Sequence, residues 1–170
     1  MNKKKIYIIA LLVILMFIIV CMKNLFIQDI KEVAISNNNI KNFDEYLLGE
    51  GEYKVSLPEG WEIDKKIKSF NGDININFSD NDNIEGNISI EKGNIEDISN
   101  SITNSKENIK IIEDNYIWHI INVVNNKTIN KYYLRSYSEG KVLIIKYSYI
   151  KEKEKNSINV VFDSISMSFK

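Results

Sequence analysis

The feature that most constrains this chain is an unbroken apolar run, Ile6 to Met22, set directly behind Lys3, Lys4 and Lys5. Seventeen residues of helix extend about 26 Å, close to the roughly 30 Å hydrocarbon core of a bilayer. Tyr7 and the lysines then fall at the interfaces. Three lysines and the amino terminus on the near side outweigh Lys23 on the far side, so the positive-inside rule places the first residues in the cytoplasm. The expected layout is a cytoplasmic basic start over 1–5, a transmembrane anchor over 6–22, a juxtamembrane helix and tether over 23–49, and an extracytoplasmic domain over 50–170.

A basic start followed by an apolar stretch also describes a secretory signal. No small-x-small cleavage site follows the run here, which argues for an uncleaved anchor. Cys21 raises the alternative of a bacterial lipoprotein, with the lipid attached to its sulfur. In Ile18-Ile19-Val20-Cys21, however, bulky Val stands where a lipobox carries a small residue. A pilin-type leader lacks its Gly and the following Glu. The membrane, through 6–22, is the first partner the sequence implies.

The anchor's three lysines removed from 22 basic residues leave 19 against 23 acidic ones, about −4 for the remainder. That mild acidity gives no electrostatic footprint for nucleic acid. The single cysteine lies in the anchor, so the exported part holds no disulfide, thiol nucleophile or thiolate zinc site. An ordinary packed core must stabilise it, and nearly 150 residues suffice for one. The wealth of Ile, Asn and Lys is that of an AT-rich bacterial coding bias, so Asn-rich stretches mark loops less firmly than usual.

Asn24 to Asn42 carries Leu25, Phe26, Ile30, Val33 and Ala34 at loosely helical spacing, then turns polar through Ser36 to Asn39. Phe43 to Leu48 reads as one more helical turn before Gly49 and Gly51. Tyr53-Lys54-Val55-Ser56-Leu57 alternates as a strand that Pro58 stops, and Glu59-Gly60 turns the chain into Trp61, a plug at the sheet edge. Ile74, Ile76 and Phe78 share a strand face, and Ile88 to Ile90 returns. Ile95, Ile98 and Ile102 define an amphipathic helix over 94–105. A short strand near Ile109 to Glu113 precedes a meander of Tyr116 to Val124, Thr128 to Tyr137 and Val142 to Tyr149. Its first member is apolar on both faces, which predicts cover on both sides of the sheet. Ile158, Val161, Phe162 and Ile165 form a covering C-terminal helix, with Met167 and Phe169 in a short strand or extended tail.

The opening Tyr53-Lys54-Val55-Ser56-Leu57-Pro58-Glu59-Gly60-Trp61 precedes a strand pair, a mid-domain helix and a three-strand meander. A helix then runs into Asp163-Ser164-Ile165-Ser166-Met167-Ser168-Phe169. Over roughly residues 50–170 this order resembles the PsbP-like superfamily, which includes DcrB-type exported domains. The resemblance implies an α+β fold, an antiparallel sheet sandwiched between helices, and a role as a binding or assembly accessory. It carries no functional residue onto this chain.

Motifs for chemistry are sparse. Gly49-x-Gly51 begins a dinucleotide fingerprint, but Lys54 takes the third glycine position and a strand follows where a helix is required. No phosphate loop, nucleophile elbow or His-Glu-x-x-His is present. His119 lies between Trp118 and Ile120 and reads as a structural imidazole; an enzyme reading would enlist Asp114 or Glu113 beside it. Asp80 to Gly86 resembles a calcium loop but fails the EF-hand pattern in either register, because Ile84 and Glu85, or Lys92, occupy required positions. It reads as a solvated hairpin, and Lys151 to Lys155 as a solvated charge run. No catalytic, cofactor or metal residue is assigned.

One constellation remains. Tyr133, Arg135 and Tyr137 alternate on one strand face, with Tyr147 and Tyr149 on its neighbour, as an aromatic and cationic surface for a partner. The competing reading makes them core with hydroxyls at the rim. The function expected is a non-enzymatic, membrane-anchored accessory outside the bacterial cytoplasmic membrane, with an envelope protein or ligand as partner. The alternative is a small-ligand or envelope-stress sensor, as a lipoprotein attached through Cys21.

Overall fold

A computed structural model describes residues 3–64, 74–80, 84–104 and 109–170. The chain is a mixed α+β structure with antiparallel sheets and one N-terminal helix long and apolar enough to cross a membrane. That helix, α1 (Lys3–Ser36), has 34 residues and measures about 51 Å. It does not stop at Met22, because no Gly or Pro interrupts the chain before Ser36. It stops in a Schellman motif. Asn39 takes the left-handed conformation at φ 58°, the Asn39 amide donates to Ser36 O, and the Ile40 amide reaches back to Ile35 O. The polar Asn37 to Asn39 stretch is thus a helix cap, and Asn38 Nδ2 adds a 2.8 Å bond to Ala34 O.

Phe43–Leu48, read above as a helical turn, is strand β1, antiparallel to β2 (Tyr53–Pro58). The residues between include Gly49 and Gly51 at φ 57° and 93°, backbone conformations that suit glycine. A seven-stranded sheet follows in the order β3-β4-β5-β9-β8-β7-β6. Its strands are β3 (Glu62–Ile63), β4 (Asn75–Ser79), β5 (Glu85–Lys92), β6 (Ile109–Asp114), β7 (His119–Val124), β8 (Thr128–Ser138) and β9 (Lys141–Ile150). Every neighbouring pair is antiparallel.

Helix α2 (Ile95–Asn104) connects β5 to β6 and α3 (Asn156–Ser168) follows β9. Asn94 caps α2, its Oδ1 accepting the Asp97 amide at 2.8 Å. The larger core lies between one sheet face, α3 and the β1–β2 hairpin, and it is strongly aromatic. Trp61 stacks on Phe78, Phe78 meets Tyr147 edge-on, and Tyr147 stacks on Phe162 with ring centroids 4.1 Å apart. A smaller core lies on the other face, where Ile98 of α2 joins Ile121, Val123, Tyr132, Leu134, Val142 and Ile144.

Two further expectations are corrected. Tyr116 and Ile117 are not part of β7, and both are exposed. The Asn115 carboxamide oxygen accepts the Ile117 and Trp118 amides at 2.9 and 2.7 Å, which folds these residues into a turn before the strand begins at His119. Met167 lies within α3, so the extended tail reduces to Phe169 and Lys170. Lys170 exchanges two 3.0 Å backbone bonds with Lys54.

Candidate functional site

The second sheet face is divided. Ile121 and Val123 of β7, Tyr132 and Leu134 of β8, and Val142 and Ile144 of β9 make one part of it apolar, packed with Ile98 of α2; over β3 to β5 and the facing end of β9 its side chains are polar and, among the described residues, no helix is packed on them. Strand register produces this division. With side chains alternating, Asn75 and Asn77 on β4 align with Ser89 and Asn87 on β5, and Asn87 aligns with Lys146 on β9. Their buried alternates, Ile76, Phe78 and Ile88, point into the main core.

Asn87 organises the polar half. Its Nδ2 donates to Asn75 Oδ1 at 2.7 Å and to Asn77 Oδ1 at 2.8 Å, which fixes all three carboxamides and turns the amide donors of Asn75 and Asn77 outward. Ser148 Oγ donates to Asn130 Oδ1 at 2.8 Å, extending the row. Lys146 stands 5.9 Å from the Tyr132 ring centroid, at the border with the apolar half. An open groove of about 740 Å³ runs over this surface, with Glu62, Asp64, Asn77, Asn87, Lys146 and Ser148 among its lining. Among the described residues of its lining, three carboxylates, Glu62, Asp64 and Glu85, stand against one lysine. Such a surface offers donors, acceptors and negative charge at fixed spacing. It suits a hydroxyl-rich or basic partner segment.

The aromatic constellation lies elsewhere. Tyr133 is fully buried, and its hydroxyl donates to Asp163 of α3 at 2.7 Å. Burial first, and then the Asp163 charge, hold the phenol far above its ordinary pKa. Tyr147 is buried against Phe162 O and Ser166 Oγ, and burial likewise raises it; Tyr149 is pushed up to about 12, chiefly by burial. Lys131 runs beneath α3 to Asn159 Oδ1 at 2.9 Å, and burial lowers its pKa against the opposing pull of Asp163. Arg135 lies over the Trp118 ring at 4.8 Å and donates to Phe169 O at 2.9 Å. Of the three residues singled out for partner binding, Tyr137 alone is exposed. The other two join α3 and the residues after it to the sheet.

His119 is not isolated. Its Nδ1 is 2.5 Å from Asp114 Oδ1, and its Nε2 is 3.1 Å from Ser99 Oγ. Asp114 was a sequence candidate, whereas Ser99 was missed, because only the docking of α2 across β7 brings it there. The order acid, imidazole, hydroxyl is that of a hydrolytic relay. Acyl transfer needs more than this order, since backbone or side-chain donors must await the oxyanion. Ser99 stands fifth in α2, where the amides that follow it belong to the helix ladder. The trio ties α2 to the β6–β7 edge. Cys21 is exposed along α1. In the Asp80 to Gly86 loop, residues 81–83 lie outside the described residues, while Asp80 Oδ1 accepts the Ile84 amide at 2.6 Å as a turn residue does.

No family model and no curated protein matches this chain. Among solved structures, a crystal structure from Bacteroides thetaiotaomicron VPI-5482 aligns with 74% of this chain and 47% of its own length. The identity is 11% and the TM-score 0.44.

Proposed function

We propose that this protein is a membrane-anchored extracytoplasmic accessory that binds a partner non-enzymatically through the polar half of its sheet. The observation that carries this reading is the divided face. A sheet whose apolar half is closed by α2 and whose other half presents an ordered carboxamide row offers a surface for recognition, which supports a binding role. The anchor supports it as well, because α1 holds that surface near other membrane components and raises its effective concentration for them. Orientation with residues 1–5 in the cytoplasm is part of the proposal, supported by Lys3, Lys4 and Lys5. Kinship with PsbP-like domains belongs to the same proposal, supported by the Tyr53 to Trp61 opening and by the order of elements after it. The ligand-sensor alternative calls for a concave, mostly apolar pocket, whereas the groove on this face is open and polar-lined.

The test is in-cell photocrosslinking from single positions. A photoreactive residue at Asn77 or Lys146 is expected to capture one discrete partner, and the same residue at Glu96, on the outer side of α2, is expected to capture none. Adducts that are absent at Asn77 and Lys146, or identical from all three positions, would refute the proposal.

A further inference from the structure

Among the described residues outside α1, five large apolar or aromatic side chains are exposed: Leu47, Tyr116, Ile117, Tyr137 and Met167. Scattered singly, such residues are ordinary. Here they come from four parts of the chain, and strand register brings them to one end of the fold. Leu47 on β1 pairs with Lys54, and Lys54 bonds Lys170, three residues after Met167. The Tyr137 ring lies 6.0 Å from Tyr53 and 6.2 Å from Phe169. Tyr116 and Ile117 immediately precede Trp118, which lies under the same Arg135 guanidinium that reaches Phe169 O.

The membrane helix leaves the domain at this end. Beside the start of α3, Asn37 to Ile40 lie near Lys155 and Ile158; beside its C-terminal part, Ile27 and Ile30 lie near Val160 and Met167. Helices α1 and α3 are therefore antiparallel, and the stretch of α1 from Ile27 back to Ile6 projects past the end that carries the five residues. From Met22, where the apolar run ends, to Ile27 the helix rises about 7.5 Å, so Met167, beside Ile27, stands within the headgroup layer, about 5–8 Å deep on each side of a roughly 30 Å hydrocarbon core. Tyrosines at that depth place their rings among apolar chains and their hydroxyls in the polar layer. Charges around the rim are of both signs, Lys54, Lys92 and Lys170 with Glu91, Asp114 and Glu139, so an apolar and aromatic contact is favoured over attraction to anionic lipid.

We infer that this rim, Leu47, Tyr116, Ile117, Tyr137 and Met167, is a lipid-contact surface that seats the domain on the headgroup layer from which α1 emerges. The inference rests on the reading of α1 as a membrane anchor, and its test separates the two. Nitroxide labels are placed one at a time at Met167→Cys, Tyr116→Cys, Leu15→Cys in the middle of the span, and Asn126→Cys at the opposite end of the sheet. The full chain carries Cys21→Ala and is reconstituted in phosphatidylcholine vesicles with and without phosphatidylglycerol. Collisions with oxygen and with a water-soluble nickel chelate report depth.

The expected result is a label at Leu15 reached by oxygen, and labels at Met167 and Tyr116 reached by the chelate severalfold less than the label at Asn126, in both lipid mixtures. Labels at Met167 and Tyr116 as accessible as that at Asn126, with Leu15 still in lipid, would overturn the rim contact and leave the anchor standing. Spin-spin broadening at Met167 that disappears on dilution with unlabelled chain would also overturn it, by assigning the rim to a second copy. A label at Leu15 open to the chelate would bring down the anchor and the rim together.

Discussion

Gly86 lies on β5 opposite Phe78 of β4, and the Phe78 ring occupies the space a side chain would need. A Cβ at Gly86 would stand 2.0 Å from Phe78 Cζ, where ordinary contact begins near 3.4 Å, so the ring would have to withdraw by about 1.4 Å. It has little room to do so, with Trp61 and Tyr147 both packed at 5.9 Å between centroids. Overpacking of this kind costs about 1–3 kcal/mol, and the crowding places Gly86→Ala near the upper value. At about 4 °C per kcal/mol the melting temperature should fall by about 10 °C. Backbone preference alone predicts the opposite sign, since Ala is favoured over Gly within a strand by about 0.5–1 kcal/mol.

A double-mutant cycle in the detergent-solubilised full chain, followed by circular dichroism in heat and in denaturant, separates these contributions. Phe78→Ala alone should destabilise by about 3–5 kcal/mol. On that background Gly86→Ala should be neutral or slightly stabilising, giving a coupling of about 2 kcal/mol or more. Equal destabilisation by Gly86→Ala with and without the Phe78 ring would refute the steric argument.

Three other outcomes are expected. Above pH 10 the buried Tyr133, Tyr147 and Tyr149 keep their protons in the folded state and lose them in the unfolded one, so stability falls by up to about 1.4 kcal/mol per pH unit for each, with Tyr149 dropping out near pH 12. Lys131 acts in the opposite sense below 10.5, and the observable is tyrosinate absorbance, which for these three should appear together with unfolding. Ser99 should resist a fluorophosphonate probe; stoichiometric labelling abolished by His119→Ala would establish a nucleophile and refute the non-enzymatic reading. Cys21→Ala should stay in the membrane fraction, and intact mass of the parent should show an unmodified thiol; a diacylglyceryl increment on Cys21 would convert the anchor into a lipoprotein.

What could be read from the sequence was whatever depends on near neighbours. Ile74, Ile76 and Phe78 announce a strand by period two, and Ile95, Ile98 and Ile102 announce α2, because burial of one face imposes those spacings. Phe43–Leu48 gave no such signal, since β1 is defined by its pairing with β2 and five of its six side chains remain at least partly out of the core. Tyr116 and Ile117 misled for the converse reason. They are apolar, but the Asn115 side chain takes the following amides and turns them to the surface. The polar half of the sheet was present as Asn75, Asn77 and Asn87, but the alignment of the first two with Asn87 depends on strand register, which no local spacing encodes. The approach of Ser99 to His119 depends on how α2 crosses the sheet, which no local spacing encodes.

The contact between Ser56 and Ser168, 2.8 Å from amide to hydroxyl, joins positions 112 residues apart. At a synthesis rate of about 5–20 residues per second, the side of β2 that meets residues 168–170 waits on the order of ten seconds for its neighbours. Throughout that interval α1 has been made and the hairpin can form, but one row of its backbone donors and acceptors is open to any other extended chain. Maturation of this domain is thus timed from its far end, and a factor that shields the open edge of β2 would act on the nascent chain and have nothing to bind once Lys170 has paired with Lys54.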